Sequence, residues 1–253
     1  MTHQKPTAIL IVHGGYFLPP AWADFNARLS GAGFAVSCPR LPSCKDARPP
    51  TAALTEDVAA VRGAAQELLS ADHTILVLAH SYGGMVACEA ITQDLYASEN
   101  TNATKGVVSL ILLSAWLVQP GDSLPGVIEK YGFQCDVDLG NNGDGTVFAK
   151  NAPASFYNDI EPARAEELAK ENVTHNWAAA AGAVTNAPWK DLPTLYIHST
   201  LDLAIKLPLQ KSMVQDAVNA GAKMTTETVN SGHCPFLSQP EELVRIVLKV
   251  ARE

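Results

Sequence analysis

The sequence predicts an α/β fold, in which a mostly parallel sheet of about six strands is flanked by helices and carries a helical lid insertion. Short apolar runs alternate with segments of helical pattern along most of the 253 residues, which is typical of parallel βαβ units. Turns of small or polar residues follow several of these runs. The alternation is broken once, between residues 116 and 188. A chain of this length can bury one sizeable core and still carry an insertion.

The apolar runs are the predicted strands. In chain order they are Ala8–Val12, Phe34–Cys38, Thr74–Leu78, Val107–Leu113, Thr194–His198 and Met224–Val229. The segments that separate or follow them are the predicted helices Ala21–Ser30, Thr51–Leu69, Tyr82–Leu95, Pro208–Ala220 and Pro240–Val250. The second helix begins with a threonine and carries Glu56 and Asp57 early, where the helix dipole stabilises negative charge. The polar stretch Asn100–Thr104 is predicted to be a surface loop.

Residues 116–188, named here the lid segment, contain no convincing strand–helix unit. The run Gly140–Gly145 is typical of a turn, and helical patterns cover Glu161–Asn172 and Thr174–Val184. We therefore divide the chain into a core, residues 1–115 and 189–253, and the lid segment. An insertion at this point lies above the carboxyl ends of the parallel strands, where ligands bind in such sheets.

The lid segment is rich in large side chains, which together predict an apolar pocket. The candidates for substrate contact, from the lid segment and from loops near the predicted reactive groups, are Tyr16, Trp116, Phe133, Phe156, Tyr157, His175, Trp177 and Cys234. The alternative is that these aromatic rings only pack the lid segment against the core.

One strand-to-helix turn is the most informative motif. The residues Ala79-His80-Ser81-Tyr82-Gly83-Gly84 follow the third predicted strand and open the third predicted helix. A serine on such a turn exposes its hydroxyl above a helix N-terminus. Small residues two positions before and after it let the turn close. The motif predicts a nucleophile at Ser81; the alternative is a buried serine that caps the helix. His80 is interpreted as structural.

Two further residues complete the chemistry that a serine nucleophile needs. Asp202 lies just past the fifth predicted strand and His233 just past the sixth. A serine hydroxyl is a weak nucleophile at neutral pH, so a histidine must take its proton and a carboxylate must orient that histidine. The order Ser81, Asp202, His233, each at a strand end, predicts a catalytic triad. The alternative is a surface acid and an unrelated loop histidine.

A glycine-rich turn follows the first predicted strand. An acyl-transfer enzyme must stabilise an oxyanion, and rigid backbone N–H groups do this well. The run His13-Gly14-Gly15-Tyr16 lets the backbone come close to a substrate. We assign the oxyanion-hole donors to the N–H groups of Gly15 and Tyr82, with a plain turn as the alternative for the glycines.

Together these motifs resemble the α/β-hydrolase superfamily along nearly the whole chain, and within it the small plant methylesterase and hydroxynitrile lyase group and fungal hydrolases of similar size. The matching stretches are Val12-His13-Gly14-Gly15 with Trp22 following, Ala79–Gly84, Ser199–Ile205 with Gln210 following, and Ser231-Gly232-His233. The resemblance implies the same triad and the same oxyanion donors. Hydroxynitrile lyases carry a lysine directly after the catalytic histidine, and Cys234 in that position argues against cyanohydrin cleavage.

The composition of the chain indicates which binding partners and which cellular compartment to expect. A net charge of −8 without a basic run disfavours nucleic acid and anionic membranes. The five cysteines and the histidines lack metal-ligand spacing, so neither a metal nor an organic cofactor is expected. No apolar signal core and no run of membrane-spanning length is present in this sequence, which favours the cytoplasm. We expect a small-molecule substrate and a monomer or homodimer.

The sequence therefore predicts a serine hydrolase that cleaves a carboxylic ester or lactone of a medium-sized, largely apolar small molecule through an acyl-enzyme. One alternative is a lyase, C–C bond hydrolase or cyclase of a biosynthetic pathway that uses the same triad. Another is a non-catalytic small-ligand receptor, since the resembling fold hosts hormone sensors as well as enzymes.

Overall fold

The computed structural model describes residues 5–45, 47–97, 105–132 and 135–252. The strands in these ranges are β1 Ala8–Val12, β2 Ala35–Ser37, β3 Ile75–His80, β4 Val107–Leu113, β5 Leu139–Asn141, β6 Thr146–Ala149, β7 His175–Asn176, β8 Thr194–Ser199 and β9 Met224–Val229. The α-helices are α1 Ala23–Gly31, α2 Leu54–Ser70, α3 Tyr82–Ala90, α4 Leu124–Tyr131, α5 Ala152–Phe156, α6 Pro162–Lys170, α7 Trp177–Ala181, α8 Leu207–Asn219, α9 Pro235–Ser238 and α10 Pro240–Arg252. Short 3₁₀ helices cover Pro19–Trp22, Gln93–Leu95 and Pro188–Lys190.

The central sheet has six strands in the order β2-β1-β3-β4-β8-β9, and each neighbouring pair is parallel. This confirms the predicted fold class. The strands at the centre of the sheet are continuous apolar runs because helices cover both of their faces. The edge strand β9, with the sequence Met-Thr-Thr-Glu-Thr-Val, is half-exposed instead.

Two apolar cores lie on opposite faces of the sheet, as the two-residue period of a strand requires. In β1, Leu10 and Val12 face the core that contains α2 and α3. The intervening Ile9 and Ile11 face the core that contains α10. The α10 helix has acids in its first turn and Lys249 and Arg252 in its last, an arrangement that its dipole favours.

The boundaries of several predicted elements shift for local reasons. The third predicted strand continues through His80, because Ala79 and His80 pair with β4. The third predicted helix ends at Ala90, because Ile91 is extended with φ −93° and ψ 93°. The second predicted helix begins at Leu54 rather than Thr51. The residue before it, Ala53, caps the helix, and its N–H donates to the Glu56 carboxylate at 2.7 Å. The predicted loop Asn100–Thr104 lies outside the described residues.

The lid segment is not purely helical, in contrast to the prediction. A three-stranded antiparallel sheet in the order β5-β6-β7 lies within it. The helix predicted over Thr174–Val184 is wrong at its start, where β7 precedes the short α7. The strand β7 forms because it also meets the core: Cys44 and His175 form an antiparallel bridge, and the Asn176 N–H donates to the Ser43 carbonyl at 3.0 Å.

Within the described ranges, no helix combines the length and the apolar character that a membrane span requires.

Candidate active site

Ser81 occupies the tight turn between β3 and α3. Its backbone has φ 54° and ψ −127°, a conformation that costs a residue with a Cβ on the order of 1–3 kcal/mol. Two neighbouring segments hold it there: the Ser81 N–H donates to the Leu113 carbonyl at 3.4 Å, and its carbonyl accepts from the Trp116 N–H at 3.0 Å. The side chain does not cap α3, which removes the alternative role considered for this serine.

Glycines allow the turn to pack directly on the backbone of the β1 loop. A Cβ on Gly83 would lie 2.2 Å from the Val12 carbonyl oxygen and 2.6 Å from that of His13. A Cβ on Gly14 would lie 2.9 Å from the Cβ of Ser81. The loop that contains Gly14 and Gly15 therefore lies against the serine turn with no room for larger residues.

Asp202 and His233 meet at the carboxyl ends of β8 and β9. The distance between Nδ1 of His233 and Oδ2 of Asp202 is 2.9 Å, and both side chains are buried. The other carboxylate oxygen of Asp202 accepts from the N–H groups of Ala204 and Ile205 at 2.8 and 2.9 Å. Because the carboxylate accepts the Nδ1 proton, Nε2 of a neutral His233 is left as a proton acceptor.

Gln210 on α8 holds the Asp202 carboxylate in place. From the sequence, this residue was named only because it follows the motif that contains Asp202. Its Nε2 donates to Asp202 Oδ2 at 3.3 Å and to the Ser199 and Ile205 carbonyls at 3.1 and 2.7 Å. Its Oε1 accepts from the Ser199 N–H at 3.2 Å. The fully buried amide thus ties the end of β8 to the loop that carries Asp202.

One predicted oxyanion donor, Tyr82, directly follows Ser81, and the other, Gly15, lies in the loop that packs against the serine turn. Tyr82 is the first residue of α3, so its N–H has no acceptor within the helix. The buried loop that contains Gly15 is held by His13, whose Nδ1–H donates to the Gly14 carbonyl at 2.8 Å and whose Nε2 accepts from the Leu41 N–H at 3.1 Å. Burial lowers the pKa of His13 to about 4, so it is neutral, as this pair of bonds requires.

A buried carboxylate beneath Tyr82 was not recognised from the sequence as part of the site. Asp57 on α2 accepts hydrogen bonds from the Tyr82 hydroxyl at 2.8 Å, from the Ser43 N–H at 2.8 Å and from the Ser43 hydroxyl. Burial raises the pKa of Asp57, and these donors offset part of that effect. The sequence showed only an acid in the first turn of a helix, where such residues are common.

Three of the predicted substrate contacts come together beside His233. The Tyr16 ring stacks on Phe156 with centroids 5.7 Å apart, and the Phe156 ring lies 5.5 Å from that of His233. The His175 ring meets Tyr82 and Tyr16 edge-on at 4.5 and 5.6 Å. Its Nε2 is buried and has no partner among the described residues, and burial lowers the pKa of His175 to about 3. This neutral ring lies against Gly15.

The other predicted contacts have different surroundings. Tyr157 lies behind Phe156 and donates to Asn172 Oδ1 at 3.1 Å. The Trp116 side chain packs in the apolar core. Trp177 is 36% exposed, and its ring is separate from the Tyr16–Phe156–His175 group. Cys234 is fully buried, and burial holds the pKa of its thiol well above the usual range. Phe133 lies outside the described residues.

This parallel sheet, with a strained serine turn after one strand and a hydrogen-bonded Asp–His pair after two others, defines an α/β-hydrolase class of protein. The model of the alpha/beta hydrolase family matches residues 9–246, and the chain belongs to that family. It is 28% identical over 254 residues to the alpha/beta hydrolase nvfD of Aspergillus novofumigatus, covering 98% of each chain.

Two further comparisons extend along the whole chain. Methylesterase 7 of Arabidopsis thaliana is 23% identical over 278 residues, with 99% of this chain and 98% of that protein covered. The crystal structure of polyneuridine aldehyde esterase superposes with a TM-score of 0.75 at 19% identity, covering 98% of this chain and 100% of the other. The family, the fold and the esterase character of these relatives indicate a hydrolase.

Proposed function

We propose that the protein is a serine-dependent carboxylic ester hydrolase that works through an acyl-enzyme. The observation that carries the proposal is the 2.9 Å Asp202–His233 bond in a sheet that also holds Ser81 on a strained turn. A neutral His233 whose Nδ1–H is engaged by a carboxylate can use Nε2 to take the proton of a serine hydroxyl.

The proposed reaction has two halves. Ser81 Oγ attacks the ester carbonyl while His233 takes its proton, and the N–H groups of Gly15 and Tyr82 bind the oxyanion. Collapse of the tetrahedral intermediate breaks the bond to the alcohol, which receives the proton from His233. Water then attacks the acyl-enzyme with His233 again as base, and the acid leaves as Ser81 regains its proton. Asp202 stabilises the imidazolium in both halves.

The chemistry around the site favours a medium-sized, largely apolar and neutral ester or lactone. Tyr16 and Phe156 offer apolar rings, whose contact with a ligand is worth roughly 25 cal/mol per Å² of buried area. The neutral His175 adds no charge. Three of the four basic side chains of the lid segment have acidic neighbours: Lys130 with Asp216, Lys150 with Asp138 and Arg164 with Glu167. None of these pairs forms a fork for a carboxylate or phosphate ligand.

The test compares turnover of p-nitrophenyl acetate, hexanoate and benzoate with that of p-nitrophenyl phosphate. We expect hexanoate or benzoate to give the highest kcat/KM and the phosphate none. The Ser81→Ala variant should remain folded by circular dichroism and lose kcat by a factor on the order of 10³ or more.

Two outcomes would contradict the proposal. Undiminished turnover by Ser81→Ala would exclude the serine as nucleophile. Saturable binding of the esters by the wild type without any turnover would point to the receptor alternative. A clear preference for acetate would agree with the proposed mechanism, but it would indicate a small pocket instead of a medium-sized one.

A further inference from the structure

The sheet alone does not align Ser81 with His233. Ser81 follows β3 and His233 follows β9, and two strands, β4 and β8, lie between them. Neighbouring strands are about 4.8 Å apart, so these two strand ends are separated by roughly 14 Å. The loop after β9 must therefore reach back across the strand ends, and something other than strand pairing must hold it in register with the serine turn.

The side chain of His80 contacts the loop that reaches back from β9. His80 is the last residue of β3, and its Nε2 lies 2.8 Å from the carbonyl oxygen of His233, to which it donates. The rings of His80 and His233 are 4.6 Å apart at an interplanar angle of 47°. Within the described residues, this is the one hydrogen bond that joins residues 79–84 to residues 230–235.

The surroundings of His80 show why this position needs a donor. Three aromatic rings surround the fully buried imidazole: Phe17, Trp22 and Phe236 lie 5.7, 5.6 and 5.2 Å away. Its Nδ1 has no partner among the described residues. A leucine or phenylalanine would fill this cage of three aromatic rings without leaving a buried polar atom that lacks a hydrogen-bond partner. Packing alone therefore does not account for an imidazole here.

The electrostatics keep this donor in place during a reaction. Burial and the neighbouring His233 hold the pKa of His80 well below its usual range. His80 therefore remains neutral when His233 becomes cationic, and its single proton stays on Nε2, opposite the carbonyl. A neutral donor holds the loop without adding a second positive charge next to the imidazolium.

We propose that His80 is a positioning residue, whose Nε2–H bond to the His233 carbonyl sets the spacing between the serine turn and the histidine loop. The inference rests on the proposed function, in which Ser81 and His233 exchange a proton. A displacement of about 1 Å between reacting groups can lower a rate by roughly 10²-fold. Loss of the bond should therefore lower kcat and leave substrate binding, and so KM, nearly unchanged.

The kinetic test uses three variants and the best p-nitrophenyl ester. His80→Leu removes the donor and retains an apolar side chain in the cage. His80→Gln places an amide N–H near the position of Nε2. Trp22→Phe, the matched control, disturbs the cage and leaves the bond intact. We expect His80→Leu to lower kcat by about 10- to 100-fold with KM within about twofold, and His80→Gln to recover most of it. Trp22→Phe should keep kcat within about threefold.

Three kinetic results would overturn the inference. One is a His80→Leu variant with nearly wild-type kcat. Another is a His80→Gln variant that is as slow as His80→Leu. The third is a Trp22→Phe variant that loses as much activity as His80→Leu, which would assign the effect to cage packing.

A second measurement does not depend on turnover. NMR of the ¹⁵N-histidine-labelled wild type and of Ser81→Ala should show His80 as the Nε2–H tautomer at pH 6 and at pH 8. The His233 ring resonances should shift in His80→Leu and return toward the wild-type positions in His80→Gln. An Nδ1–H tautomer, or His233 resonances that are indifferent to His80→Leu, would overturn the inference. Failure of the proposed function would appear separately, as equal ester turnover by the wild type and Ser81→Ala.

Discussion

Replacing His175 by phenylalanine should make the protein more resistant to acid. The imidazole is buried between Tyr16 and Tyr82, and its Nε2 has no partner among the described residues. A phenyl ring can occupy the same space and keep both edge-on contacts. The fold holds His175 neutral, so every pH at which the unfolded chain protonates this residue favours unfolding.

The size of the effect follows from the pKa of His175, which falls from an ordinary 6.5 to about 3 in the fold. Because the folded pKa is the lower one, stability is intact above pH 6.5 and is lost as the pH falls from 6.5 toward 3. At pH 5 the loss is about 1.5 pH units times 1.4 kcal/mol, or roughly 2 kcal/mol. His13, with its pKa lowered to about 4, contributes a similar loss in both proteins.

Urea unfolding at pH 7.5 and at pH 5, followed by circular dichroism, measures this difference. Between these pH values the wild type should lose about 2 kcal/mol more stability than His175→Phe. At pH 7.5 the variant should be at least as stable as the wild type, since it removes a buried nitrogen that has no hydrogen-bond partner among the described residues. His73→Gln is the control: it removes a histidine that is partly open to solvent and bonds Thr7, and so shows whether the loss of another histidine has the same effect. Equal losses in the wild type and His175→Phe would show that the fold does not hold His175 neutral.

Three further substitutions probe the packing and the hydrogen bonds of the site. Gly83→Ala should destabilise the fold by about 3 kcal/mol or more in urea unfolding, because its Cβ would lie 2.2 Å from the rigid Val12 carbonyl oxygen; near-wild-type stability would contradict that contact. Gln210→Leu should cost about 2 kcal/mol and lower kcat, because it removes the bonds of Gln210 to the Ser199 N–H and carbonyl and one of the two donors to Asp202 Oδ2; unchanged kcat would show that His233 does not depend on this support. Tyr82→Phe should cost about 1–3 kcal/mol, and more at a pH at which Asp57 is charged than at one at which it is protonated, because the lost hydroxyl stabilises the charged form of Asp57; a loss that is larger when Asp57 is protonated would contradict this assignment.

The sheet could be predicted from the sequence because its strands are short apolar runs that end at turns. Three of the predicted strands, Ala8–Val12, Val107–Leu113 and Met224–Val229, have the same bounds in the structure. The serine turn and the Asp202 and His233 loops could be placed at strand ends for the same reason. Chain order along a parallel sheet brings the carboxyl ends of all strands to one edge.

Two of the lid strands, β5 and β7, could not be predicted from local sequence patterns. The two-residue strand β7 carries no periodic pattern, and it forms by pairing with β6 and with the segment around Cys44. The strand β5 contains Gly140 and Asn141, which favour a turn when only neighbouring residues are considered.

The supporting residues were missed for a related reason. Asp57, Gln210 and His80 lie in ordinary helix and strand patterns, and their roles depend on buried bonds to residues 8 to 153 positions away in the chain. A sequence shows the residue type and its neighbours, but not which distant carbonyl, hydroxyl or carboxylate it meets. The exposure of Trp177, 36% in the fold, could not be read from the sequence either, because only the fold decides which face of the lid segment is buried.

Covalent trapping tests whether Ser81 is the nucleophile and is activated by His233. The protein is incubated with a fluorophosphonate, and its intact mass and peptide masses are determined by mass spectrometry. We expect a single phosphonyl adduct on the peptide that contains Ser81, no adduct on Ser81→Ala, and labelling of His233→Ala that is slower by a factor on the order of 10² or more. An adduct on another residue, or labelling at the wild-type rate in either variant, would contradict the proposed roles of Ser81 and His233.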